Sequence, residues 1–322
     1  MKHRCAILDD YQNVSLDFGD WSKLIGLIDL RIFNNHIGSQ DELVRALQGF
    51  HIVCLMRERT PLPRAVIERL PDLKLVCTTG WANAAVDAAA LRERGITFCH
   101  TRMIGDPTAD LTFALILELA RRAGTENARM KAGDRQWQTR LGFGLEDKTL
   151  GVIGLGKLGT HVAQIGKAFR MRVVAWSQNL TAERCAAAGV QYVSKEALLR
   201  QSDIVTLHLR LSERTHNIIA APDLAQMKPT AYIVNTSRGP LIDEQALIAA
   251  LTDKKIAGAA LDVYDREPLP ADHPFRKLDN AVTTPHLGYV TAENYRIMFS
   301  DIVDNIRGFI DGNPVRVIAP TG

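Results

Sequence analysis

The chain has 322 residues, 46% hydrophobic and 23% charged, a composition that suits a globular protein of two domains and excludes a disordered or collagen-like one. Its 39 basic and 36 acidic side chains leave a net charge of +3. They are dispersed, without the basic block that marks a nucleic-acid or membrane surface, so the expected partner is a small molecule, with no nucleic acid and no membrane.

The N-terminal "MKHRCAILDD" starts basic, but its apolar run stops at Asp9, too soon for a signal peptide. The long apolar run "FALILELA" is broken by Glu118, so no membrane span is expected and the location read from the sequence is cytoplasmic. The runs "CAILDD", "LRIFNN", "HIVCLM", "KLVCTT" and "GITFCH" alternate with amphipathic segments such as "DELVRALQGF". That rhythm predicts βαβ units and a parallel sheet. Cys5, Cys54, Cys77 and Cys99 lie in these runs; with Cys185 they make an odd set containing no C-x-x-C. They are expected to be reduced core residues, with no metal site.

A helical pattern, "PTADLTFALILELARR", starts near Pro107 and interrupts the series. Residues 121–147 have weak apolar periodicity. A second alternating series runs from "KTLGVIGLG" to "NAVTTPH". The final "TAENYRIMFSDIVDNIRGFIDGNP" has helical spacing and stops at Gly312 and Pro314. The fold class predicted is α/β, with two doubly wound parallel-sheet domains.

"GVIGLGKLG" sets Gly154, Gly156 and Gly159 in G-x-G-x-x-G spacing, between an apolar strand, Thr149 to Ile153, and a helical pattern. The first glycine permits a tight turn, the second lets a pyrophosphate approach the backbone, and the third lets helix and strand pack closely. The helix start offers unpaired N–H groups to the anion. A glycine-rich turn without a ligand is the alternative. Polar residues also follow three later strands: "NTSRGPLID" after "AYIV", "DVYDREPLP" after "AGAAL", and "TPHLG" after "NAVT". Singly, Arg238 reads as a surface ion-pair partner, Glu267 as a turn residue and His286 as a loop histidine. Together, at strand ends that face a ligand crevice, they converge beside the nucleotide.

These segments resemble the D-isomer-specific 2-hydroxyacid dehydrogenases. "CTTGWANAAVD" is similar to that family's substrate-carboxylate loop, "LEDKTLGVIGLGKLG" to its cofactor loop and "SDIVTLHLRLSERT" to its adenosine-side strand; "MKPTAYIVNTSRGPLIDEQAL", "ALDVYDREPLP" and "TTPHLG" complete the set. The resemblance implies a Rossmann-type NAD(P) domain, residues 102–290, inserted into a flavodoxin-like substrate domain, residues 1–101 plus 291–322, with hinge crossings near Arg102 and Tyr289. It implies that Arg238 binds the carboxylate and carbonyl oxygen of a 2-keto acid, that His286 donates or accepts the proton, and that Glu267 pairs with His286. The chemistry agrees: a guanidinium fork holds a carboxylate without losing its charge, and a neighbouring carboxylate favours protonated imidazole.

For the cofactor the resemblance implies Thr108, Gly154, Gly156, Lys157, Leu158 and Gly159, then Ser177, Gln178, Asn179, His208 and Arg210, and finally Thr236, Asp262 and Gly288. For the substrate it implies Arg57, Trp81, Ala82 and Asn83. The loop "WAN" departs from the usual small, glycine-containing sequence, and Trp81 is either a pocket wall or an ordinary packing aromatic. Arg57 and Arg59, in "LMRERTPLP", meet a distal phosphate or second carboxylate, or else are solvated surface charge. Where NAD-specific relatives carry an acid, this chain has Ser177-Gln178-Asn179, with no acid between Gly159 and Glu183. NADP(H) is therefore favoured over NAD(H), with Arg210 or Arg184 as counter-charge, unless the loop tolerates either. Residues 121–147 match the family's subunit-wrapping arm, so a homodimer is expected with Trp137 as its buried anchor. Two alternatives stay open. A dinucleotide-sensing scaffold or corepressor is disfavoured by the lack of a charged recognition segment after Gly312, and a formate-dehydrogenase-like enzyme by Glu267, where that branch has an amide.

Overall fold

The structure is a computed structural model and describes residues 2–319. The chain forms two compact units, Met1–Ile104 with Thr291–Gly322, and Gly105–Val290.

In the first unit, strands β1 (His3–Ile7), β2 (Ile28–Ile32), β3 (Ile52–Leu55), β4 (Leu75–Thr78) and β5 (Thr97–His100) pair in parallel in the order β2-β1-β3-β4-β5. This is the flavodoxin-like order, with its switch point between β1 and β3. Every residue of β3 and β4 is buried, as central parallel strands require; their β-branched and apolar composition serves both faces. Helices α1 (Gln40–Leu47), α2 (Arg64–Ile67) and α3 (Ala88–Glu93) make the crossovers. Ser39 caps α1 by accepting from the Glu42 amide while its hydroxyl donates to the Glu42 carboxylate, an N-cap supplied by the run "SQDE".

The terminal helix, Ala292–Ile310, presents a buried polar row with its apolar one. Asn294 both accepts from the Ile104 amide and donates to its carbonyl, Asp301 accepts from the Arg102 amide and guanidinium, and Asn305 donates to the His100 carbonyl. These bonds satisfy backbone that no strand pairs, and they explain why the first unit extends to Ile104.

In the second unit α4 (Asp106–Arg121) and α5 (Ala123–Lys131) precede the strands β6 (Thr149–Ile153), β7 (Arg172–Trp176), β8 (Gln191–Tyr192), β9 (Ile204–Leu207), β10 (Tyr232–Asn235), β11 (Gly258–Leu261) and β12 (Ala281–Thr283). All pairs are parallel, in the order β12-β11-β10-β9-β6-β7-β8, the Rossmann arrangement with its switch point between β6 and β9. Helices α6 (Lys157–Ala168), α7 (Ala182–Ala187), α8 (Lys195–Gln201), α9 (Ala221–Leu224) and α10 (Glu244–Thr252) connect them. Alternate strand residues feed two cores. Leu150, Val152, Ile204, Val234 and Ala260 pack with α4 and α6, whereas Ile153, Val205, Leu207, Ile233 and Leu261 pack with α8 and α10.

All five cysteines are buried and free, as expected for core thiols. No helix among the described residues is long and apolar enough to cross a membrane.

Candidate functional site

In the second unit the carboxyl ends of β6, β7, β9, β10, β11 and β12 carry the glycine loop, Ser177, His208, Arg238, Glu267 and His286 in turn. At the switch point, Gly154 has φ 99°, a left-handed turn that a side chain strains. A Cβ there would also lie 2.5 Å from the His208 carbonyl oxygen, and one on Gly159 only 1.9 Å from the Gly154 oxygen. Gly156 differs, since a Cβ on it would meet nothing within 4 Å. Helix α6 begins beside it at Lys157 with no side-chain cap. Open space therefore faces the uncapped amides of Lys157, Leu158 and Gly159, an arrangement that fits a pyrophosphate.

His208, at the end of β9, has Nε2 2.9 Å from Thr206 Oγ1, and its buried Nδ1 has no partner among the described residues. Burial pushes its pKa down to about 3, so the ring is neutral, with one nitrogen left for a ligand. Beyond β7, Ser177 is half-buried and Gln178 and Asn179 are exposed. The Gln178 amide donates to the Arg214 carbonyl at 3.4 Å, joining this loop to the one after β9, where Arg210 is exposed.

The Arg238 turn is shaped by Asn235, whose side chain accepts from the Ser237 amide and donates to the Arg238 carbonyl. Ser237 in turn donates to the Leu207 carbonyl, and Arg238 Nη1 donates to the Ser237 carbonyl at 2.7 Å. Thr236 Oγ1 lies 2.8 Å from Thr112 Oγ1, Thr112 donates to the Thr108 carbonyl, and Thr108 donates to the Gly288 carbonyl at 2.9 Å. A threonine chain thus joins the start of α4 to β10 and to the segment bearing His286.

His286 Nδ1 is 2.7 Å from Glu267 Oε2, and the side chains are 17% and 28% exposed. His286 has φ 53°, and its amide donates to the Thr284 carbonyl, a tight turn over Pro285. Asp262, fully buried, accepts from Thr284 Oγ1 and from the amides of Leu287 and Gly288. Burial holds its carboxyl above the usual range, and those donors oppose the shift. The Asp262 side chain therefore supports the histidine segment from beneath.

The residues of the first unit form their own cluster. Arg57, at φ 53°, donates from its backbone to Thr79 Oγ1 and from Nη1 to the Thr79 carbonyl. Its guanidinium lies where a Cβ on Gly80 would sit. The buried Asn83 side chain donates to the Arg57 carbonyl and to Thr78 Oγ1, clamping the loop. Trp81 is 58% exposed, its ring 5.3 Å from that of His100, and Ala82 is exposed. Among the described residues the amides of Trp81, Ala82 and Asn83 take no hydrogen-bond acceptor from the chain. The surface-charge reading of Arg57 and Arg59 needs correction. The Arg57 side chain is 12% exposed, and Arg59 is buried, donating to the Asp9 carbonyl with its guanidinium 4.5 Å from the centre of the Tyr11 ring. A guanidinium can stack and bond a carbonyl at once, which makes its burial affordable.

Tyr264 went unnoticed in the sequence. Its amide donates to Glu267 Oε1 at 3.0 Å and its hydroxyl bonds two carbonyls. Nothing in "DVYDREP" distinguishes it from a packing aromatic.

Comparison with known proteins agrees with this geometry. The sequence profile of the D-isomer specific 2-hydroxyacid dehydrogenase NAD binding domain matches residues 113–288. The chain is 36% identical over 257 residues to a glyoxylate reductase of Thermococcus litoralis, covering 77% of each protein. It is also 36% identical over 281 residues to glyoxylate/hydroxypyruvate reductase B of Yersinia enterocolitica, covering 85% of each. The solved phosphoglycerate oxidoreductase of Vibrio cholerae is similar with a TM-score of 0.92 at 34% identity, over 96% of this chain and 99% of that one. A Rossmann unit with an open glycine loop, an arginine turn and a carboxylate-bound histidine at one sheet edge accords with that match, and the chain belongs to the D-isomer specific 2-hydroxyacid dehydrogenase family, oxidoreductases that pass a hydride between a nicotinamide cofactor and a 2-keto or 2-hydroxy acid.

Proposed function

We propose that the chain reduces a short 2-keto acid of glyoxylate or hydroxypyruvate size, with His286 as proton donor, Glu267 as its partner and Arg238 as the anchor of the substrate oxygens. The observation that carries this reading is the 2.7 Å contact between His286 Nδ1 and Glu267 Oε2. With Nδ1 engaged, Nε2 is the nitrogen that exchanges the proton. A reduced nicotinamide, when bound, would supply the hydride. As charge gathers on the ketone oxygen, Arg238 stabilises it and His286 protonates it. The free amides of Trp81, Ala82 and Asn83 suit a carboxylate oxygen.

For the cofactor we infer a preference for NADP(H). Ser177 follows β7 without an acid to repel a 2′-phosphate, Gln178 and Asn179 are exposed donors, and Arg210 and Arg184 are exposed cations. We also infer a homodimer built through residues 121–147, because this segment leaves Trp137 72% and Leu141 102% exposed, an apolar surface that a second copy would cover.

A second substrate reading, a keto acid with a distal phosphate, is favoured by the Arg57 guanidinium over Gly80 beside those free amides. Steady-state reduction assays with glyoxylate, hydroxypyruvate, phenylpyruvate and 3-phosphohydroxypyruvate, each with both reduced nicotinamide cofactors, test these readings. Preferred turnover of the first two supports ours, a preference for the phosphorylated acid supports the second, and inactivity towards all four overturns both.

A further inference from the structure

We propose that Tyr264 is a positioning residue that sets the Glu267–His286 contact from both sides; this rests on the reading of His286 as proton donor. From one side its amide donates to Glu267 Oε1 at 3.0 Å, which leaves Oε2 for His286 Nδ1. From the other, its hydroxyl lies 2.9 Å from the Thr284 carbonyl oxygen, the oxygen that also accepts from the His286 amide at 3.1 Å. The phenol thus pins the carbonyl around which the left-handed His286 turn closes. The same hydroxyl is 3.0 Å from the Leu261 carbonyl, where β11 ends, so the turn is referred to a rigid strand.

The third member is tied in sterically. A Cβ on Gly239, next to Arg238, would lie 2.1 Å from the Tyr264 carbonyl carbon, so the backbones of the arginine turn and the tyrosine segment touch. Tyr264 is 7% exposed and packs at a tilt on Phe275. Without the phenol the Thr284 and Leu261 carbonyls would keep one amide donor each, from His286 and Thr284, and would lose the second bond that fixes them. A phenylalanine here would keep the packing and the amide bond while releasing the turn.

Among the described residues Glu267 contacts the His286 ring, Asp262 holds its segment through the Leu287 and Gly288 amides, and the Tyr289 ring meets it edge-on. Tyr264→Phe changes none of the charges, so a shift in histidine titration reports geometry.

The test follows His286 in the ligand-free protein by NMR titration of its ring protons, assigned with His286→Ala, alongside keto-acid reduction against pH. In Tyr264→Phe the His286 midpoint and the alkaline limb of activity should move together to lower pH, with kcat down about tenfold and KM little changed. Phe275→Leu, which disturbs the ring's neighbour and keeps the hydroxyl, should lower Tm without moving the midpoint. An unmoved midpoint in a folded Tyr264→Phe protein overturns the proposal, as does an equal shift in Phe275→Leu. Full activity of His286→Ala instead overturns the proton-donor reading itself, so the two failures are told apart.

Discussion

At the residue scale, the proposed mechanism turns on three side chains whose substitutions have separable signatures. His286→Ala should lose on the order of a hundredfold or more in turnover while cofactor binding, followed by nicotinamide fluorescence, survives. Arg238→Lys keeps the charge but loses the fork, so KM should rise as kcat falls. Glu267→Gln should chiefly move the alkaline limb to lower pH; an unmoved limb would break the inferred pairing. Ser177→Asp should turn the kcat/KM ratio towards NAD(H) through repulsion of the 2′-phosphate, and an unmodified protein that already prefers NADH would remove the basis for our cofactor assignment. His208 gives a prediction in stability. Its folded pKa of about 3 lies below the ordinary 6.5, so its contribution is complete above pH 6.5 and is lost as pH falls towards 3. That loss is about 2 kcal/mol at pH 5. Urea midpoints should fall between about pH 7 and pH 5, and less steeply in His208→Gln. Arg238, Glu267 and His286 were legible because each follows a strand run and has a chemistry that strands do not need. Tyr264 was not, because its meaning lies in carbonyls at Leu261 and Thr284 that only the folded sheet brings to it.

At the scale of elements, the glycine loop and the cysteine-bearing strands make opposite demands on space. Gly159→Ala would drive a methyl group to within 1.9 Å of the Gly154 oxygen. Separating α6 from β6 to make room should cost about 1–3 kcal/mol and abolish cofactor binding in a fluorescence titration. Unchanged affinity would show that the loop does not hold the dinucleotide. Cys54, Cys77 and Cys99 stand opposite one another on β3, β4 and β5. Hydrogen bonds from the neighbouring thiols, and then burial, raise their pKa values, which keeps them as unreactive thiols. Ellman's reagent should find no accessible thiol in the native protein and all five in guanidinium. Most of the strands were visible as β-branched runs, β6 with its observed limits. The sealing of Arg59 was not, because an arginine beside a strand end looks solvated until the Tyr11 ring and the Asp9 carbonyl are placed around it.

At the scale of the whole molecule, Trp137 and Leu141 in the segment after α5 are exposed among the described residues. If a second copy covers them, light scattering should give twice the 35.6 kDa chain mass, and Leu141→Asp with Trp137→Ser should shift the protein to monomer. A monomeric unmodified protein at micromolar concentration would refute the dimer. The sequence by itself determined the α/β class and the family, because periodicity, glycine spacing and motif order are local properties of the chain. Tertiary structure alone decided the strand order that collects six strand ends at one sheet edge, the burial of Arg59, the ties that carry the first unit to Ile104, and the hydroxyl that holds the histidine turn. Each depends on groups distant in the chain becoming neighbours, and burial and hydrogen-bond geometry acquire values only once those neighbours are in place.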